Sequence, residues 1–282
     1  MSGFSPEWLA LREPVDHRSR HAGLAGVLAG RLNVLAEPSI VDLGCGTGSN
    51  LRGTAPLLGP RQSWTLVDYD PRLLAVARDR LAGWADCAAA EGDALVLEKA
   101  GKRNEVRFRQ ADLVRDLGAA LGDAPKAWPD LVTASALFDL CSAEFIQRCA
   151  GEVAARKAAF FTVLTYDGVQ TWSPAHAADE AMRAAFIAHQ KTDKGFGTSA
   201  GPDAPAHLRK AFEANGYTVR EGDSPWVLDA PDAALIRDLA EGFGGAVAET
   251  GRVDSSAIAA WRTIIRTGAV VGHTDTLALP PA

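Results

Sequence analysis

The sequence predicts an α/β fold, a doubly wound and largely parallel sheet with helices on both faces. Three observations carry this. From Ser39 to Leu164, short apolar runs alternate with helix-patterned stretches, the order expected of strands joined by crossover helices. The first run ends in a loop with glycine at every second position. The second run ends in Asp68 and passes to Asp70-Pro71, an N-cap followed by proline at the first helical position.

The elements follow in order. Trp8, Leu9, Leu11 and Arg12 suit a short amphipathic helix, predicted to break at Pro14. The strands are Ser39–Leu43, Ser63–Asp68, Val106–Gln110, Leu131–Ala134 and Phe160–Leu164. After Asp70-Pro71, Leu74, Ala77 and Leu81 recur at helical spacing. The alanine-rich stretch Ala85–Leu97 is expected to be an inserted surface helix with a polar end at Lys99, Lys102 and Arg103. Beyond Leu164 the texture turns polar and aromatic. A helix is expected over Ala177–Gln190 and a glycine-containing loop over Thr192–Pro202. A helix over Ala206–Asn215 is stopped by Gly216. Tyr217–Glu221 alternates like a strand, Ala233–Val247 and Ser255–Ile265 read as helices, and Val270–Leu279 as a last strand. No repeat or low-complexity linker divides the chain. One domain is expected over 1–282: a helical lid (1–38), a ligand-binding core (39–164), and late insertions and strands (165–282).

Composition narrows the function. Of 282 residues, 47% are hydrophobic, enough for a core without staples. Lys+Arg number 29 against 35 Asp+Glu, a net charge of −6, whereas nucleic-acid binders normally carry a basic excess. The four cysteines, Cys45, Cys87, Cys141 and Cys149, form no Cys-x-x-Cys pair and no zinc spacing. No metal site is expected. No export signal opens the chain, and no run approaches the ~20 apolar residues of a membrane span. The chain therefore reads as a soluble cytoplasmic protein with reduced thiols.

The informative loop is Val41-Asp42-Leu43-Gly44-Cys45-Gly46-Thr47-Gly48-Ser49-Asn50. Glycine lets backbone turn at positive φ and approach a ligand closely, and a following helix offers free N–H groups. The spacing Gly-x-Gly-x-Gly is one residue short of the dinucleotide fingerprint. No Gly-Lys-Ser/Thr follows, so the triphosphate loop is absent too. Asp68, twenty residues beyond Gly48, stands where a carboxylate can accept both ribose hydroxyls. Together these features point to a nucleoside-type ligand.

In these residues the chain resembles the class I S-adenosylmethionine-dependent methyltransferases. The resemblance rests on Val41–Gly48, on Leu66-Val67-Asp68-Tyr69-Asp70-Pro71, on Gln110-Ala111-Asp112-Leu113 and on Pro129–Ser135. It implies a Rossmann-like sheet of seven strands with the last antiparallel, and S-adenosyl-L-methionine as cofactor. By the resemblance, the loop Gly44, Cys45, Gly46 and Gly48, with Asn50 behind it, holds the methionine part. Asp42 sits near its amino group, and Asp68 binds the ribose. Tyr69 flanks the adenine, Asp112 accepts from its amine, and Leu113 covers the ring. Ser135 and Ala136 lie beside the transferring methyl. Cys45 reads as a small filler.

The acceptor is expected over the ends of the fourth and fifth strands, under the N-terminal lid and the late insertions. Arg12 is a candidate for a bidentate fork on the cofactor carboxylate. Tyr166, Asp139, His189 and Lys194 are the candidate acceptor-facing catalytic residues, whereas His176 and His207 have no distinguishing context. A small-molecule acceptor is expected, the alternative being a protein or tRNA. No Asn-Pro-Pro-Tyr/Phe tetrapeptide follows the fourth strand, which reads Ser135-Ala136-Leu137-Phe138-Asp139-Leu140.

Overall fold

The computed structural model describes residues 4–122, 124 and 128–281. Positions 1–3 of the expected lid and position 282 of the expected domain lie outside them. At its centre, β1 (Ser39–Leu43) is flanked in parallel by β2 (Arg61–Asp68) and by β6 (Leu131–Ser135). Outward from β2 lie β5 (Lys102–Gln110), β4 (Ala94–Lys99) and β3 (Cys87–Glu91). Outward from β6 lie β7 (Ala159–Ser173), β10 (Gly268–Leu279) and β8 (Thr218–Asp223), and β9 (Trp226–Leu228) pairs with β10 off that row. β10 runs antiparallel to both β7 and β8. The seven-stranded core β5-β2-β1-β6-β7-β10-β8, with its one antiparallel strand, is the arrangement the sequence predicts, enlarged here by three strands.

Alternation along β1 sends Ile40 to one face and Val41 and Leu43 to the other. One core holds Leu28, Ile40, Trp64, Leu81 and Phe161. It is covered by α2 (Ala22–Leu32), α3 (Ser49–Thr54) and α4 (Pro71–Trp84), then by α7 (Asp179–Gln190), α9 (Ala233–Thr250) and α10 (Ser255–Arg262). The other holds Leu43, Val132, Phe138, Phe160 and Phe212 under α5 (Leu113–Ala120), α6 (Ala143–Ala155) and α8 (Ala204–Ala214). Helices on both faces follow from right-handed crossovers between parallel strands. β7 and β10 run on past the parallel sheet as a long ribbon. Trp172 there packs edge-on to Phe243 of α9 and Trp261 of α10, with ring centroids 5.5 and 5.3 Å away.

Two expectations are corrected. Ala85–Leu97 is not a helix: β3 and β4 form a hairpin that pairs with β5. Alanine favours a helix locally, but Gly92 turns at φ +61°, as do Ala100 and Gly101 at +50° and +75°. Between those turns Ala94–Leu97 is buried against the sheet edge. The second concerns Pro14, which does not break the first helix. α1 runs from Pro6 to Ser19 through it, on α1's exposed side. Side-chain contacts to α3 from Glu13 and His17 hold the turns on either side of Pro14 in place.

Candidate active site

The first loop, the tip of β2, the start of α5 and the tips of β6 and β7 all lie at the carboxyl edge of the sheet. β1 is the strand where the order reverses. That crevice is where open α/β sheets bind ligands.

Gly44, Gly46 and Gly48 sit at φ +64°, +53° and +79°, a region that costs other residues ~1–2 kcal/mol. A Cβ on Gly46 would stand 3.2 Å from Leu9 of α1. Gly46 N–H donates to Asp68 Oδ2 at 2.8 Å, and Asp70 N–H donates to Oδ1 at 2.9 Å. Partial burial raises the Asp68 pKa, with those two N–H groups opposing. Loop and strand tip are thus tied into one cradle whose glycines present bare backbone. Tyr69, beside it, exposes 53% of its surface. Asp112 caps α5, accepting from Val114 N–H at 3.0 Å and from Arg115 at 2.9 Å, while Leu113 is buried. Cys45 is buried and its thiol pKa is pushed well up by desolvation, which suits a filler and not a nucleophile.

Asp42 is buried beneath the loop. Its Oδ1 accepts from Asn50 Nδ2 at 2.7 Å, and its Oδ2 has no partner. The same Asn50 nitrogen lies 3.1 Å from Thr133 Oγ1, so the pair braces β1, α3 and β6. Desolvation raises Asp42 to about 7. Ser135 ends β6 half-buried, and Ala136 follows at φ +51°.

α1 lies across this cradle. Glu13 grips Arg52 of α3 with two bonds of 2.6 Å, and Arg52 also holds the Thr47 carbonyl at 2.9 Å. His17 Nε2 is 3.0 Å from the Ser49 carbonyl. Arg12 closes its fork on Asp16, with Nε to Oδ2 at 2.8 Å and Nη2 to Oδ1 at 3.2 Å, and stacks on Trp226. Trp226 Nε1 donates to the same Asp16 at 3.1 Å. In this geometry the Arg12 fork is taken by the chain itself.

The four catalytic candidates fall into two pairs. Asp139 lies against the Tyr166 backbone N–H, and burial raises its carboxyl to about 6. Lys194 Nζ lies 3.4 Å from His189 Nδ1, and His189 Nε2 lies 3.0 Å from Glu249. His189 of that second pair borders a cavity of about 310 Å³ between α7 and α9, lined also by Ala188, Thr192, Glu249, Thr250 and Arg252. No hydrogen bond joins the two pairs among the described residues.

Sequence reasoning missed three buried groups. His273 of β10 stands opposite Tyr166 in register. Asp275 bonds to the N–H of Leu164, the N–H of His21 and the Ser224 hydroxyl at 2.8, 2.8 and 2.6 Å. Arg20 reaches Thr54 at 2.9 Å. None shows a local spacing signal, because their partners are distant in sequence. Among the described residues there is no group of three or more His, Cys, Asp or Glu placed to hold a metal, and no helix is long and apolar enough to cross a membrane.

The fold is that of a Rossmann-like α/β domain. The family comparison narrows this. A methyltransferase-domain profile matches residues 40–156. The YcgJ protein of Bacillus subtilis has a similar fold, with a TM-score of 0.54 and 14% identity over 93% of this chain and 100% of that one. So does the cyclopropane synthase MmaA2 of Mycobacterium tuberculosis, with a TM-score of 0.51 and 12% identity over 98% and 94%. A 65-residue stretch is 46% identical to the biotin biosynthesis bifunctional protein BioCD of Bordetella avium, covering 22% of this chain and 13% of that protein. Residues 40–156 match a methyltransferase domain.

Proposed function

We propose that the protein transfers a methyl group from S-adenosyl-L-methionine to a small-molecule acceptor by in-line displacement. The observation that carries this is the cradle of three left-handed glycines tied to Asp68. In this reading Gly44, Cys45, Gly46 and Gly48 pass along the methionine portion, and Asp42 and Asn50 brace the loop from behind. Asp68 uses its remaining lone pairs for the ribose hydroxyls. Tyr69, Asp112 and Leu113 frame the base, and Ser135 borders the reacting end. The cofactor supplies an already activated sulfonium methyl, so the protein's task is to align an acceptor and exclude water. α1 suits the exclusion, lying directly on the loop with Arg12 on its inner side. In this reading Asp139, in the turn after β6, and Tyr166, within β7 just beyond its last pair with β6, face the acceptor, and Asp139 is poised to take a proton. His189 and Lys194 form the wall of the approach between α7 and α9. The net charge of −6 favours a metabolite over a polyanion.

Calorimetric titration with S-adenosylhomocysteine tests the reading. Micromolar binding, weakened tenfold or more in Asp68→Ala, is expected. Absence of binding to the unaltered chain overturns it.

A further inference from the structure

β3 ends the sheet on one side, and its five residues, Cys87–Glu91, are all exposed. Successive side chains of a strand point to opposite faces, so neither face of β3 is covered. Its inner side pairs with β4, where Ala94–Leu97 are buried. Among the described residues no strand lies along its outer side, which leaves a row of free N–H and C=O groups. A strand paired on one side and bare on both faces gains little from its own chain, as isolated hairpins do.

Natural edge strands carry devices against further pairing: charged side chains, proline, bulges or a covering element. The opposite edge of the sheet, β8, has them. Arg220, Glu221 and Asp223 are three of its six residues. Arg209 of α8 pairs with Glu221, and a Cβ on Gly222 would stand 2.3 Å from the His21 ring. β3 reads Cys-Ala-Ala-Ala-Glu, with a charge only at its last residue. Its register with β4 runs unbroken from Cys87 to Glu91, so it has no bulge. The acids in and beside it are each paired within the chain: Asp86 with Lys99 at 2.8 Å, Glu91 with Arg103 at 3.0 Å and Asp93 with Arg107 at 3.4 Å.

We propose that β3 pairs with β3 of a second copy of this chain, antiparallel about a two-fold axis at Ala89. That register sets Ala88 opposite Ala90 of the second copy and Ala89 opposite its own counterpart, so only methyl groups meet at the centre of the seam. Cys87 and Glu91 fall opposite each other at its two ends. Pairing gives the free edge its backbone partners and continues the sheet from one copy into the other. Charge favours a copy as the occupant. Each chain carries −6 overall, but this edge is balanced pair by pair, so two copies meet here without the cost of opposed like charges. A strongly acidic or basic foreign strand finds no unpaired charge to hold it. Symmetry favours a copy too. β3 on β3 uses the open edge of each chain once and closes, and the blocked β8 edge stops growth at two. The seam has five residues a side, against about 20–30 in a standard interface, so the dimer is weak and forms as concentration rises. Three strands separate β3 from β1 and its glycine loop, and the pairing does not depend on the methyl-transfer reading.

Sedimentation equilibrium of the full chain, from micromolar to millimolar concentration, tests this. The mean mass should rise from that of one chain toward that of two and no further. Ala89→Lys sets two ammonium groups face to face at the axis and should weaken association at least tenfold. Thr218→Lys, on the β8 edge, should leave association unchanged. A second measurement needs no variant. Amides of β3 in the parent should exchange with deuterium more slowly at the top of the concentration range than at the bottom, while those of β8 exchange equally at both. A one-chain mass at every concentration overturns the proposal. So does association that Ala89→Lys leaves intact, growth beyond two chains, or β3 exchange that ignores concentration.

Discussion

The backbone N–H of Gly46 donates to Oδ2 of Asp68 at 2.8 Å. The bond fixes the middle of the glycine loop to the tip of the neighbouring strand, and Asp70 N–H holds the other oxygen. Asp68→Asn keeps the shape but turns an NH₂ group toward one of these two N–H donors. The loss of one bond and the new donor–donor conflict should cost ~1–3 kcal/mol of stability. Affinity for S-adenosylhomocysteine should fall tenfold or more. Thermal melting and calorimetry read the two effects separately. Unchanged affinity would remove Asp68 from the cofactor site.

Glu13 and Arg52 link α1 to α3 through two 2.6 Å bonds, and the Arg52 side chain is 7% exposed. Burial works against the Glu13 charge, but Arg52 outweighs it and holds the carboxyl below its ordinary value. Glu13→Gln leaves a nearly buried guanidinium short of a charge partner, at a cost of ~2 kcal/mol or more. The amides of α1 should then exchange with deuterium faster, while those of β1 and β6 hardly change. Equal protection along α1 would mean that its apolar contacts alone, such as Leu9 on the glycine loop, keep it seated.

Much of the glycine cradle was legible in the sequence because its causes are local. Positive φ selects glycine at 44, 46 and 48, and Asp70-Pro71 announces α4 within two residues. β3 and β4 were not legible, because alanine propensity points to a helix and only pairing with β5 decides otherwise. On the other side of the crevice, Asp139 and Tyr166 stood out because each closely follows a predicted strand. His273 was hidden because its meaning depends on the β7–β10 register. Asp275 was hidden for the same reason, since His21, Leu164 and Ser224 lie far from it in sequence.

Asp275 has consequences of its own. It is fully buried and serves three donors, among them the N–H of Leu164, whose φ of +59° marks an irregularity in β7. Asp275→Ala would orphan two backbone N–H groups and a hydroxyl at once, a loss of ~3 kcal/mol or more. Asp275→Asn should recover part of this, since one oxygen remains for Leu164 and Ser224. Urea denaturation should rank the parent above the asparagine variant, and that variant above the alanine one. Equal midpoints for the two variants would show that the His21 contact carries the whole effect.

His189 gives a test of the acceptor wall. Its contacts are Glu249 and Lys194, and its side chain is part-exposed beside the α7–α9 cavity. His189→Ala should therefore leave folding within ~0.5 kcal/mol of the parent, as exposed substitutions usually do. S-adenosylhomocysteine affinity should also stay the same, while turnover on the acceptor falls severalfold. Equal turnover would confine His189 to the surface.

Asp42 predicts a pH dependence with a definite sign. Its carboxyl is fully buried, and desolvation lifts it to about 7, with Asn50 and Arg20 opposing and Asp68 adding to the rise. In the unfolded chain an aspartate titrates near ~3.9. Between those values the folded state holds a proton that the unfolded state has released. Stability from this group is therefore complete below about pH 4 and is lost as pH rises toward 7. Asp139, raised to about 6, acts in the same direction, so the parent curve alone does not isolate Asp42. The difference between the parent and Asp42→Asn does. The amide introduced by that substitution can still accept from Asn50 but cannot ionise. Urea midpoints from about pH 4 to 8 should show the parent losing ground to the variant up to about pH 7 and holding level above it. A difference that does not change across that range would mean that Asp42 ionises at its ordinary pKa despite its burial.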